Sequence, residues 1–481
     1  MPRRVLAFAL ALLMVLAPAA GATWSIVLVD TATGEIAVGS ATCLESFDLE
    51  KFVPVIVVGK GGAAAQAAID MGGTNRKKIF AELKLGTPPL TILSIIKQGD
   101  LQKASRQYGI VDLTGAKGAY TGGAVSQYKG HRVGTVGTIT YSIQGNILAG
   151  APVLDAAVMA VENSTGLLAD RLMAGMVAAR QMGGDGRCSC PTGGAQSCGA
   201  PPEQFLKSAH VGFAIVARLG DTDGSCSGGG CAQGEYWMDL NVPQQQWADP
   251  DPVDQLRTMY TQFNDSMAGQ PDGLRSFTRL HGDQVAGDGV STRQLKVALY
   301  DLRGGRIETG GATLSVSHAE GSAGLSSMTG FTDHGDGTYT VALQAGSGVG
   351  TDLLAVKVEG GTRPATLYPY PTLTHHAALE APTGAISAGA ETSFELDLFG
   401  PERLGGRPYL LALWLAGTVP APGTVLLGAS GILGPNGRAQ AEITLPPGAL
   451  LPLVGAELRA AWFPIPAAGF RSNAISLRIV P

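Results

Sequence analysis

Thr23-Trp24-Ser25-Ile26-Val27-Leu28-Val29-Asp30 is the stretch from which the fold is read. Trp24, Ile26 and Leu28 alternate with the residues between them, the period-two signature of a strand. Thr31 to Gly34 is a turn, and Glu35 to Thr42 returns as a second strand. Phe52 to Val58 is a β-branched run that predicts a buried strand. Thr87 reads as an N-cap with Pro88 as the first helical residue, opening a helix through Ile92, Ile95 and Ile96. Tyr108 to Leu113 is a short strand. Pro152 to Glu162 and Leu167 to Met182 predict two helices, with apolar stripes at Val153, Ala157 and Val161 and at Leu168, Leu172 and Met176. Ala209 to Arg218 and Glu235 to Val242 read as paired strands. Strands, a helix layer and strands again imply an α+β layered domain over about the first 245 residues.

Beyond about residue 280 helical periodicity fades. Gln294 to Tyr300 alternates with period two. Asp336-Gly337 is a turn leading into Thr338 to Val341, and Leu353 to Val358 is another strand. These short strands predict an immunoglobulin-like sandwich over 283–372, closed by the proline-punctuated Pro364 to Pro371. A second all-β domain is expected over 376–481. The length of 481 residues fits about three domains. Charged residues make up 15%, and 68 glycines and 28 prolines fit turn-rich β structure. The net charge of −5 argues against a nucleic-acid partner.

Residues 1–22 read as a secretory signal peptide, with Arg3 and Arg4 ahead of an apolar core from Val5 to Leu16 and a small-x-small site at Ala20-Gly21-Ala22. A membrane anchor, or cleavage at Ala17-Pro18-Ala19, is the weaker reading. The protein is therefore expected to be exported: extracellular, periplasmic or at the cell surface. Export suits the six cysteines, Cys43, Cys188, Cys190, Cys198, Cys226 and Cys231, as disulfides. Their spacings do not match the C-x2-C pairs of zinc sites, so no metal is expected. The pairing stays open.

No H-E-x-x-H, phosphate-loop or G-x-S-x-G motif occurs. Gly59 to Ala64 fits G-x-G-x-x-A, but Gly72 and Gly73 interrupt the helix that a dinucleotide site needs, so no cofactor is expected. The strongest chemical feature is positional. Cleavage after Ala22 would put a hydroxyl and a free α-amine on Thr23. An α-amine titrates near 7.7–8.0. It can take the hydroxyl proton while the oxygen attacks a carbonyl.

From these residues the chain resembles a known family. Thr23 to Val27 is similar to its Thr-aromatic-Ser-Ile-Val opening. Gly59-x-Gly61 with Gln66-Ala67, Arg106 to Asp112, Gly130 to Gly134, Gln144 to Gly150, Gly183-Gly184-Asp185-x-Arg187 and Asp249 to Val253 resemble its other motifs. This is the domain of unknown function numbered 1028, and the resemblance spans about residues 23–262. Its grouping with the N-terminal nucleophile (Ntn) hydrolases implies a four-layer α-β-β-α sandwich over 23–265, followed here by two all-β sandwich domains. Cys188 to Leu206 interrupt the family pattern and read as a Cys-rich insertion. The resemblance implies Thr23 as nucleophile and Gly145 or Asn146 as oxyanion donor. Ser25 and Gln66 would orient the amine, and Asp185 and Arg187 would pair nearby. His131 reads as a loop histidine. The expected activity is hydrolysis of a small amide or peptide-like substrate through an acyl-Thr intermediate. The alternative is a non-catalytic surface or adhesion protein whose β-sandwich modules bind the envelope or a carbohydrate. Homo-oligomerisation stays open.

Overall fold

The computed structural model describes residues 23–481 except 288, 347, 377, 378, 381–384, 390, 391, 401–403, 418–426, 466–471 and 473. The expected signal peptide, residues 1–22, lies outside the described residues. Contacts divide the chain into two units, Met1–Met267 and Ala268–Pro481.

The first unit runs β1 (Thr23–Asp30), β2 (Ile36–Thr42), β3 (Pro54–Val57), β4 (Gly61–Ala67), α1 (Thr74–Lys84), α2 (Pro89–Gly99), β5 (Arg106–Asp112) and β6 (Lys117–Thr121). It continues with β7 (Gly130–Val136), β8 (Ile139–Asn146), α3 (Pro152–Asn163), α4 (Leu168–Gln181), the short α5 (Gly186–Ser189), β9 (Val211–Ala217), β10 (Met238–Val242) and α6 (Pro252–Ser266). Two antiparallel sheets result: a six-stranded one in the order β10-β9-β2-β1-β8-β7 and a four-stranded one in the order β3-β4-β5-β6. The β1–β2 and β9–β10 pairs read from the sequence are both present.

Seven of the eight β1 residues are buried, on both faces. Its Val27 and Val29 join Ile36, Val38, Phe213 and Ile215 against Ile56, Ala64 and Val111 of the facing sheet. Trp24, Ile26 and Leu28 face the other way, where α4 packs across β1 and β2. Gly175 of α4 is one condition for that approach: a methyl there would stand 2.8 Å from Ile26 Cδ1. On the far side of the four-stranded sheet, Ile79 and Leu83 of α1 and Ile92, Leu93 and Ile96 of α2 pack on Val55, Ala63 and Ile110.

Helix α2 starts one residue later than expected. Pro88 is the extended cap residue and Pro89 the first helical one. The ring of Pro89 pushes the preceding residue out of the helical region. The expected loop histidine, His131, stands instead in strand β7, paired with Gln144.

Glu50 sits in a buried turn, Leu49–Lys51, beside β2. Burial first, then the charges of Asp239 and Asp48, push its carboxyl from 4.5 up to about 8. Between these two values the folded state holds a proton that the unfolded chain has released. Stability therefore falls as pH rises through that window. Glu50→Gln is expected to match the wild type in Tm at pH 4 and exceed it above pH 8, by roughly 1–3 kcal/mol of stability after solvent screening. Calorimetry across this range checks it, and a wild-type advantage at high pH would refute it.

The second unit contains two β sandwiches. The first comprises β11 (Phe277–Leu280), β12 (Gln284–Ala286), β13 (Thr292–Ala298), β14 (Thr313–His318), β15 (Ser327–Asp333), β16 (Thr338–Gln344), β17 (Gly350–Glu359), β18 (Ala365–Leu367) and β19 (Thr372–His376). Its sheets run β11-β13-β16-β15 and β12-β19-β17-β14, with β18 on β17. Leu295, Val297, Tyr339, Val341, Val356 and Leu373 fill the space between them. Strand β11 pairs with β13 although it precedes the expected start at 283. The second comprises β20 (Leu379–Glu380), β21 (Ala385–Ser387), β22 (Thr392–Phe399), β23 (Pro408–Leu415), β24 (Leu427–Ile432), β25 (Arg438–Leu445), β26 (Glu457–Pro464) and β27 (Ile475–Val480). Its sheets run β20-β22-β25 and β21-β27-β26-β23-β24 around Leu396, Leu411, Leu413, Trp462 and Leu477. Each sandwich has a short early strand paired in parallel with its last strand: β12 with β19, and β21 with β27. Among the described residues no helix is long and apolar enough to cross a membrane.

Candidate functional site

Strand register assembles the site. β1 lies between β2 and β8, with Trp24 opposite Ala41 and Thr23 opposite Asn146. Thr42 and Asn146 therefore flank Thr23 from either side. The facing sheet supplies two glutamines, because Gln66 of β4 stands directly opposite Gln107 of β5. All five side chains are buried.

Thr23 Oγ1 lies 3.4 Å from Thr42 Oγ1. The Thr23 carbonyl accepts from Gln66 Nε2 at 2.8 Å and from Asn146 Nδ2 at 3.4 Å. Ser25 Oγ donates to Gln66 Oε1 at 2.5 Å and lies 2.8 Å from Ser40 Oγ. Ser25 and Gln66, expected to orient the amine, thus act on the Thr23 carbonyl instead, Gln66 directly and Ser25 through it. Gln107 joins the two halves: its Oε1 accepts from Gln66 at 2.9 Å and from Asn146 at 3.3 Å. Its Nε2 donates to the carbonyls of Gly145 at 3.0 Å and Gly130 at 2.9 Å. Gly145 therefore presents its carbonyl, an acceptor, to this network. A buried amide cluster with this degree of mutual bonding holds its members in fixed orientations.

The two sheets approach closely beside it. A methyl on Gly109 would stand 2.1 Å from Gln144 Oε1 and 2.4 Å from Ser142 Oγ. Only a hydrogen fits there.

Asp185 and Arg187 come to the same end of β1. Asp185 is fully buried. Its Oδ2 accepts from the Cys43 N–H at 2.7 Å and from the Arg187 guanidinium at 2.9 Å. Its Oδ1 accepts the Arg187 N–H at 3.0 Å, which caps α5. Arg187 also donates to Thr42 Oγ1 at 3.3 Å. The connected series is Thr23, Thr42, Arg187, Asp185. The expected charge pair is thus present and one hydroxyl removed from Thr23.

The cysteines form three disulfides: Cys43–Cys188, Cys190–Cys198 and Cys226–Cys231. The first joins the residue after Thr42 to the residue after Arg187. His210 lies beside it, with its N–H donating to the Thr42 carbonyl at 2.8 Å. Burial holds its imidazole below the usual histidine range.

Gln107 and Thr42 were not singled out as site residues from the sequence. Gln107 lies inside the motif Arg106 to Asp112, where a glutamine in an otherwise strand-like run is itself a signal. Thr42 carries no such mark, because only register brings it to Thr23.

The second unit holds a cavity of about 610 Å³. Its lining includes Arg293, His376, Phe399, Asn436 and Arg438. The Arg438 guanidinium lies 5.2 Å over the Phe399 ring, and the His376 ring meets Phe399 edge-on at 4.9 Å. An aromatic face bordered by guanidinium, imidazole and amide groups can stack on and hydrogen-bond a sugar ring.

Residues 275–368 match the family described as Invasin, domain 3. No curated protein matches the chain. Among solved structures, a Silicibacter pomeroyi protein described as DUF1028 aligns with 21% identity over 50% of this chain and 88% of that one, at a TM-score of 0.36. The Yersinia pseudotuberculosis adhesin InvE aligns with 14% identity over 44% of this chain and 60% of that one, at a TM-score of 0.20. The Escherichia coli adhesin FdeC aligns with 16% identity over 56% of this chain and 74% of that one, at a TM-score of 0.21. Residues 23–199, the segment that holds Thr23, Gln66, Gln107, Asn146 and Asp185, match the Family of unknown function (DUF1028).

Proposed function

We propose that this is an exported surface protein that acts by binding, through its β-sandwich modules, to a cell-envelope polymer or an extracellular carbohydrate. The observation that carries this reading is the match of residues 275–368 to invasin domain 3. The three disulfides support an oxidising location. The Phe399 and Arg438 cavity is the proposed contact surface. The full-length protein is expected to bind envelope glycans, and Phe399→Ala with Arg438→Ala to weaken that binding at least tenfold while Thr23→Ala leaves it intact. Glycan-array and calorimetric binding measurements check this. Undiminished binding by a chain lacking 268–481 would overturn it.

A second reading is favoured by the Thr23 surroundings. In it the first unit is a four-layer Ntn-hydrolase-like domain and residues 1–22 are removed as a signal peptide. The new α-amine of Thr23 takes the proton from Oγ1, and Oγ1 attacks an amide carbonyl. The leaving amine then carries the proton away, and water hydrolyses the acyl-Thr ester. Asn146 Nδ2 is the proposed oxyanion donor, and the Gly145 segment supports it from the strand. Arg187, held by Asp185, would polarise Thr42 beside the nucleophile. Mature protein is expected to begin at Thr23 and to be labelled there by an amide-directed electrophile, with no labelling of Thr23→Ala. Intact-mass and N-terminal sequencing read both. A residue left ahead of Thr23 in the mature chain would sink the mechanism.

A further inference from the structure

Beside the Thr23 network, Cys43 Sγ, Cys188 Sγ and a ring nitrogen of His210 all lie within 4.8 Å of one another. The imidazole is 3% exposed, and its Nδ1 is buried without a hydrogen-bond partner. Its Nε2 lies 3.6 Å from Glu45 Oε1, and Glu45 is half exposed to solvent. A buried imidazole nitrogen without a partner costs free energy unless something binds it. Backbone bonds fix these groups from several directions. The His210 N–H is held by the Thr42 carbonyl, and the Cys43 N–H by Asp185.

We propose that reduction of the Cys43–Cys188 disulfide converts this cluster into a zinc site, with Cys43, Cys188 and His210 as protein ligands and Glu45 or water in the fourth position. An external dithiol supplies two electrons and is itself oxidised to its disulfide. The Cys43–Cys188 S–S bond breaks and each sulfur takes a proton. Zinc then displaces both protons and binds two thiolates and a neutral imidazole.

The geometry needs little movement. Tetrahedral zinc with Zn–S near 2.3 Å and Zn–N near 2.0 Å puts its two sulfurs about 3.8 Å apart and each sulfur about 3.5 Å from the nitrogen. The sulfurs must therefore separate by about 2 Å, and the nitrogen, already within 4.8 Å of both, must close by at most about 1.3 Å. Two thiolates balance the charge of Zn²⁺, so the half-buried site gains no net charge. Glu45 opens toward solvent and provides an entry path. The same residues then exist in two forms, a covalent clamp when oxidised and a metal site when reduced. In both forms they join the segments that carry Thr42 and Arg187. This inference does not depend on what Thr23 does.

The experiment uses the full mature chain with Cys190, Cys198, Cys226 and Cys231 replaced by serine, which isolates the one pair. The protein is reduced with a thiol-free phosphine and titrated with Co²⁺, then Zn²⁺. One equivalent of cobalt is expected, with a thiolate-to-cobalt charge-transfer band and the intense visible bands of tetrahedral coordination, and zinc should abolish both. The unreduced protein should take up none. His210→Ala is expected to weaken cobalt binding at least tenfold and change the visible bands. Equal binding before and after reduction, equal binding by His210→Ala, or no uptake by the reduced protein would each overturn the proposal. So would loss of near-ultraviolet circular dichroism on reduction that zinc does not restore.

Discussion

Replacing Cys43 and Cys188 together by serine is expected to cost the first unit about 5 kcal/mol, against about 2.5 kcal/mol for the Cys190 and Cys198 pair. The difference follows from the loops that the bonds close. Cys43 and Cys188 are 145 residues apart, whereas Cys190 and Cys198 are separated by 8. A cross-link removes more freedom from the unfolded chain when it closes a longer loop. The long loop spans β3 to α4, so most of the unit lies within it. Urea unfolding of the two double variants, followed through the buried Trp24 and Trp237, measures both costs. Equal losses would refute the loop-length argument and point to local effects. The 145-residue bond should also slow unfolding, because it ties the residue that follows β2 to α5, far apart in sequence.

Glu35→Ala is expected to cost about 3–5 kcal/mol. Register explains why. Ile36 pairs with Ala217, so Glu35 and Arg218 meet one step further along the same two strands. The Arg218 Nε lies 2.8 Å from Glu35 Oε1, and both side chains are buried. The guanidinium also lies 3.5 Å from the Trp237 ring centroid. Removing the carboxylate leaves a buried cation whose charge water cannot reach. Replacing both residues, Glu35→Leu with Arg218→Met, should recover most of the loss, because the ion pair itself contributes less than its breakage costs. A single-variant loss below about 1 kcal/mol, the range of exposed pairs, would refute the assignment. Calorimetry should place the change in the first unit's transition, with the second unit's unaltered.

The hairpin of β1 and β2 was legible because alternation, a turn and a second alternation followed one another without interruption. The same holds for β9 and β10. Helix α1, Thr74–Lys84, was not. Its residues are mostly polar, and Gly72 and Gly73 read as helix breakers. Gly73 instead takes a left-handed φ of 70° and starts the helix as its cap. Helix α6 was hidden for a similar reason, although Asp251 caps it by accepting the Val253 N–H at 2.9 Å. The motif Asp249 to Val253 carries part of the family resemblance, and its physical work is that cap and a bond to Ser208. At the candidate site, Thr23, Gln66, Asn146, Asp185 and Arg187 were legible and come together. Gln107 and Thr42 complete the network through register across β1 and β2 and across β4 and β5, a tertiary fact with no local pattern. The disulfide pairing was likewise beyond sequence, since spacing does not say that Cys43 finds Cys188.

The parallel pairing of each sandwich's second strand with its last has a mechanical consequence. In each sandwich of the second unit an early strand lies alongside the last: Gln284–Ala286 on Thr372–His376, and Ala385–Ser387 on Ile475–Val480. If the chain is pulled from its two ends, these paired strands are drawn in opposite directions along their own length. The hydrogen bonds between them are then loaded all at once, in shear, rather than opened one at a time like a zip. Each module is expected to resist such a pull until the whole set of bonds between its paired strands gives way together.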